Sequence, residues 1–140
     1  MYAASINYQI VMQEKKLSTL QNDLADYKRN LERIKAAKKE LEQKKNQYEN
    51  EFRAVSSFPN KILAIDSLGL IGVEKIQSAV YTAYSGSKEI SFKNNIQNTL
   101  TSIQKKITSL EEKITRCKQN ISTVEETIRK LKLTLAALTA

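Results

Sequence analysis

The sequence predicts an all-α fold: an elongated antiparallel two-helix coiled-coil hairpin with short helices in the connecting segment. Three observations predict it. Apolar residues recur at alternating steps of three and four along two long segments. Only three Gly and one Pro punctuate the 140 residues, too few for the turns of a sandwich, a barrel or a βαβ fold. The breakers that do occur fall in the middle, between the two periodic segments.

The first periodic segment runs over 5–55. One heptad column reads Ile10, Leu17, Leu24, Leu31, Lys38, Lys45, Phe52. The other reads Gln13, Leu20, Tyr27, Ile34, Leu41, Tyr48, Val55. Lys38 and Lys45 interrupt the seam. A Lys at such a position costs stability and commonly sets pairing or register, while its stem can lie along the seam with the ammonium in water.

The second segment runs over 88–139. Its columns are Leu100, Ile107, Ile114, Ile121, Ile128, Leu135 and Ile103, Leu110, Cys117, Val124, Leu131, Leu138. No ionisable side chain interrupts this seam apart from Cys117, which reads as a small core residue. Ile96 extends it backward, and Ile90 and Phe92 are expected to continue it irregularly. Glu112–Arg116, Glu125–Arg129 and Glu126–Lys130 stand four apart with the acid first, the better orientation on a helix surface.

At about 1.5 Å per residue each segment would be ~70 Å long. Equal lengths and separate seams favour a chain folded back on itself over a homodimeric coiled coil. The expected register sets Leu17 beside Ile128, Leu24 beside Ile121 and Leu31 beside Ile114, so that Tyr27 approaches Cys117. Residues 1–140 are read as a single hairpin domain.

The connection, 56–87, begins at a helix stop, since Pro59 cannot continue the helix and restricts Phe58. Short helices are expected over 61–68 and 73–84, with Gly69 and Gly72 between them. Ser87 is placed to cap the second long helix, with Glu89 in its first turn. Apolar side chains are dense here, among them Phe58, Leu68, Leu70, Ile71, Tyr81 and Tyr84. Those that do not pack back on the long helices would leave an apolar patch, the usual mark of a partner surface.

Catalytic chemistry finds little to work with. The chain has no His, no Trp and one Cys, which excludes an imidazole-based triad, a His-based metal site, a zinc ribbon and an intrachain disulfide. Gly69 to Lys75 is not a P-loop, because the spacing is wrong and no Ser or Thr follows the Lys. Asn120-Ile121-Ser122 matches a glycosylation sequon but lies in mid-helix. No enzyme activity, metal or cofactor is expected.

Lys plus Arg number 23 and Asp plus Glu 15, a net charge of +8. Residues 1–70 hold 12 basic and 9 acidic groups and residues 71–140 hold 11 and 6, so the excess is spread. Spread positive charge suits acidic partners or anionic surfaces, but it is neither clustered nor interleaved with aromatics as nucleic-acid binding requires. No nucleic acid is expected as partner. Met1 to Ile6 lacks the pattern of a secretory signal peptide, and no apolar run approaches the ~20 residues of a membrane span, so no stable membrane insertion is expected.

The organisation resembles a known family. It is similar to the small α-helical partner proteins of LXG toxins in Gram-positive type VII secretion, relatives of the Trp-x-Gly helical-hairpin superfamily. The matching features are a short lead, a long Lys/Glu/Gln-rich helix including Leu31 to Leu41, an apolar middle, a turn and a second long helix. The Trp-x-Gly turn would fall on Tyr84-Ser85-Gly86, with Tyr84 in place of Trp and Phe92 as the following aromatic. Ile103 to Ile114 resembles the family's closing helix. No Tyr-x-x-x-Asp/Glu or Phe-x-x-x-Asp export motif occurs.

The resemblance implies a targeting role. Such a protein binds the helical N-terminal LXG domain of a toxin side by side, with a second small helical partner in some complexes. It would be cytoplasmic before export and co-secreted, the partner carrying the export signal. The expected contact residues are Phe58, Leu68, Leu70, Ile71, Tyr81, Tyr84, Gly86 and Phe92, together with exposed faces of the long helices. The alternatives are a coiled-coil stalk or chaperone of another secretion apparatus, or a basic rod that binds a membrane surface.

Overall fold

The computed structural model describes residues 2–56 and 87–140, with side chains over 2–51 and 89–140. The expected short helices over 61–68 and 73–84 lie outside the described residues. The fold is an all-α two-helix hairpin of α1 (Tyr2–Ser56) and α2 (Ser87–Thr139). α1 begins slightly before the expected Ser5. α2 begins at Ser87 with Glu89 in its first turn, where a carboxylate meets the positive end of the helix dipole.

α2 is unusually rich in Thr, a residue of modest helix propensity. The hydroxyls of Thr99, Thr101, Thr115, Thr123, Thr127 and Thr134 each donate to the carbonyl four residues back, at 2.8–3.0 Å. This folds the polar group onto its own helix and leaves the aliphatic columns as the contact face.

The described chain divides into two compact units. One joins Met1–Lys35 to Lys105–Ala140, and the other is Ala36–Gln104. In the first unit both heptad columns are the packed face. Ile107, Leu110, Ile114, Cys117, Val124 and Ile128 of α2 are buried, as are Ile6 and Ile10 of α1. Gln13, Leu17, Leu20, Leu24, Tyr27, Leu31 and Ile34 are half-buried. The two sides of the seam therefore differ in degree: six α2 positions are buried, with Ile121, Leu131 and Leu135 half-buried, while α1 beyond Ile10 is half-buried throughout.

The helices are antiparallel, and the register differs from expectation by about one turn. Cys117 donates its thiol proton to the Leu20 carbonyl, Sγ to O 3.2 Å. Cys117, Lys113, Arg116 and Asn120 line one surface groove with Leu20, Asp23 and Tyr27. The turn bearing Leu24 thus lies beside Cys117 rather than beside Ile121. Tyr27 shares the groove with Cys117 as expected, but its ring is met by the Lys113 ammonium, 6.0 Å from the centroid. Lys132 reaches Glu14 at 3.4 Å, a diagonal contact. In an antiparallel pair side chains lean toward their own helix N-termini, and so toward each other here.

In the second unit Lys38 and Lys45 are half-buried on the seam. Lys38 donates to Gln104 Oε1 across the pair at 2.8 Å and faces Glu42 at 3.8 Å, so its charge has partners while the stem covers the seam. Of the two residues expected to continue the α2 seam irregularly, Phe92 does so by packing on Tyr48, whereas Ile90 does not and is 58% exposed. Counting back by heptads from Leu100 and Ile96 gives Lys93 and Glu89 instead. Glu89 is buried at 7% and pairs with Lys93 at 2.9 Å. An ion pair occupies the column where an apolar continuation was expected.

The unequal burial gives a stability test. Ile114→Ala removes a covered side chain and is expected to cost ~3 kcal/mol, whereas Leu24→Ala at a half-buried position costs about half that. Urea unfolding followed by circular dichroism measures both, and equal losses would contradict the asymmetry.

Candidate interaction surfaces

The described residues form open surface grooves, among them the one beside Cys117. They contain no cluster of His, Cys, Asp or Glu able to hold a metal ion. Cys117 is buried, and its thiol is engaged as a donor to a backbone carbonyl. Every buried side-chain polar atom among the described residues has a hydrogen-bond partner. What the chain offers is surface.

Of the expected contact residues, Phe58, Leu68, Leu70, Ile71, Tyr81, Tyr84 and Gly86 lie outside the described residues. Phe92 is described. It sits beside Tyr48 of α1, ring centroids 4.4 Å apart and planes tilted by 52°, yet stays 45% exposed. The tilted pair anchors one edge of the ring and leaves the rest on the surface.

Two further surfaces stand out in the first unit. One is the half-buried seam of α1, whose aliphatic members include Leu17, Leu20, Leu24 and Leu31. The other was not anticipated from the heptads. Residues 2–13 and 133–140 contain no Asp, Glu, Lys or Arg, a run without charge that α2 repeats only over 94–104. Tyr8, Val11 and Met12 are exposed on the side of α1 away from Ile6 and Ile10, Tyr8 by 67%. Leu133 is likewise exposed, 58%, on the side of α2 away from Ile128, Leu131 and Leu135. The signal was present in the residue list as the loss of charge at both helix ends. A search for seam columns does not register it.

Charged side chains elsewhere form local ladders. Arg129 binds Glu126 through both Nε and Nη2, at 2.9 and 2.6 Å, and not Glu125 as the four-residue spacing suggested. Lys130 approaches Glu126 at 3.9 Å. Arg29 pairs with Asp26 and Lys44 with Glu40. The hydrogen bond from Arg129 holds the Glu126 carboxyl below its ordinary value of 4.5. The hydrogen bond to Glu89 holds the Lys93 ammonium above its ordinary value of 10.5.

Among the described residues no helix is long and apolar enough to cross a membrane. Comparison with protein-family models, curated proteins and solved structures returns no match.

These pairs fix the expected pH response. The Glu126 contribution is complete above 4.5 and is lost as pH falls through the lowered folded value. The Lys93 contribution is complete below 10.5 and is lost as pH rises through the raised folded value. With no His in the chain, thermal stability is expected to be flat across the neutral range and to fall only beyond those two limits. A midpoint of unfolding that shifts steeply near neutrality would contradict this.

Proposed function

We propose that this chain is a non-enzymatic targeting partner. It binds the helical N-terminal LXG domain of a secreted toxin and promotes export by type VII secretion, leaving the cytoplasm together with its cargo. The reading rests on the family resemblance and on one structural observation that supports it, the incomplete burial of the α1 seam. Leu17, Leu20, Leu24 and Leu31 are only half-buried although they face the packed side of their helix. A third amphipathic helix laid beside that seam would complete their burial, as helix-in-groove recognition does. Phe92 and the apolar residues of the connection, Phe58, Leu68, Leu70, Ile71, Tyr81 and Tyr84 with Gly86, extend the proposed contact.

Co-expression with the products of the adjacent reading frames tests this. An LXG-domain protein is expected to co-purify. Leu17→Gln on α1 and Leu70→Asp in the connection are each expected to weaken the pair about tenfold, the loss typical of a buried anchor. Circular dichroism checks that the variants stay helical. Failure to capture any LXG-domain protein would overturn the targeting role. A stable pair indifferent to both substitutions would overturn the proposed contact.

A further inference from the structure

We propose that residues 2–13 and 133–140 form a surface that seats reversibly in the headgroup region of an anionic bilayer. The two segments belong to one compact unit, and Ile6 and Ile10 of the first are buried in it. Neither contains an ionisable acid or base of the Asp, Glu, Lys or Arg type. Their apolar side chains do not share one side. Tyr8, Val11 and Met12 face away from α2, and Leu133 faces away from α1. A protein partner covers one side of a helix pair, whereas a lipid interface surrounds the segment it receives. Tyr suits that interface, since its ring is apolar and its hydroxyl stays hydrated.

The border of the surface carries the complementary charge. The Glu14–Lys132 ion pair marks where charge begins on both helices. Lys15 and Lys16 follow on α1, and Lys130 and Arg129 precede Lys132 on α2. With Glu125 and Glu126, the latter pairing Arg129 and Lys130, the border holds five basic groups against three acidic ones. Basic groups at this depth are drawn to anionic headgroups, and their long stems let the ammonium reach the phosphate layer. The same positive border disfavours a second copy of this chain on the surface, because two such borders would repel. Neither helix can cross the bilayer, so the attachment is interfacial.

Flotation of the full chain with vesicles tests the proposal. Binding is expected to phosphatidylcholine vesicles that contain phosphatidylglycerol, to weaken with added salt, and to be absent on phosphatidylcholine alone. Lys15→Gln and Lys16→Gln should each weaken binding about fivefold. The double variant Tyr8→Ser with Val11→Ser should abolish it while helicity is kept, since both side chains are exposed. No binding to the anionic vesicles, equal binding to both vesicle types, or full binding by the double variant would each overturn the proposal. So would an absence of vesicle binding accompanied by self-association, or by capture of a protein, that the double variant removes. Those outcomes would assign the surface to a second copy or to a protein partner.

Discussion

The burial of an aliphatic stripe on α2, deepest from Ile107 to Ile128, is the interaction on which the other features depend. Ile107, Leu110, Ile114, Val124 and Ile128 are all covered, and the side chain among them with a polar atom, Cys117, spends its proton on a carbonyl of the opposite helix. A helix of this length made mostly of charged and amide residues gains little from its solvent face, where pairs such as Glu126–Arg129 are fully hydrated. The hydrophobic stripe supplies the tertiary stabilisation that long helices need in water. Placing that stripe against α1 brings Leu20 to Cys117, Tyr27 to Lys113 and Glu14 to Lys132.

The same contact explains what is left over. A single neighbour cannot enclose two wide stripes, and here the incomplete coverage falls mostly on α1. Its seam residues from Gln13 to Tyr48 are half-buried, and they include large or polar side chains, Tyr27, Lys38, Lys45 and Tyr48. Lys38 shows how such a residue is kept: its ammonium reaches Gln104 and Glu42 while its stem lies over the seam. A half-buried seam of Leu and Ile differs from a sealed coiled coil and leaves apolar area that a further helix could cover.

Much of this fold was legible in the residue order. The half-buried and buried positions of α1 fall on the two heptad columns from Ala3 to Tyr48, with Asp23 and Glu49 as the additions, because a 3.6-residue period leaves no other face to bury. The α2 columns hold from Ile96 to Leu135 for the same reason. Expectation erred where composition and position disagreed. Ile90 is apolar but sits off the columns, which pass through Glu89 and Lys93. The register was set by aligning equal lengths, and equal lengths do not specify a turn. The uncharged surface over 2–13 and 133–140 escaped notice because its apolar residues have no single period; they surround both helices. The residues of the connection that carried the site expectation lie outside the described residues, apart from Phe92.

Pairing of α1 with α2 inside one molecule is the central claim, and native Cys117 offers a direct measurement. Leu20→Cys is introduced and oxidation is followed on dilute protein by non-reducing electrophoresis and sizing. The hydrogen bond from Cys117 to the Leu20 backbone carbonyl puts the two positions within one turn of each other and predicts disulfide formation within a single chain, while Leu31→Cys, about three turns further along α1, fails to couple. Coupling through Leu31→Cys in its place, or disulfides that form only between separate chains, would contradict the hairpin described here.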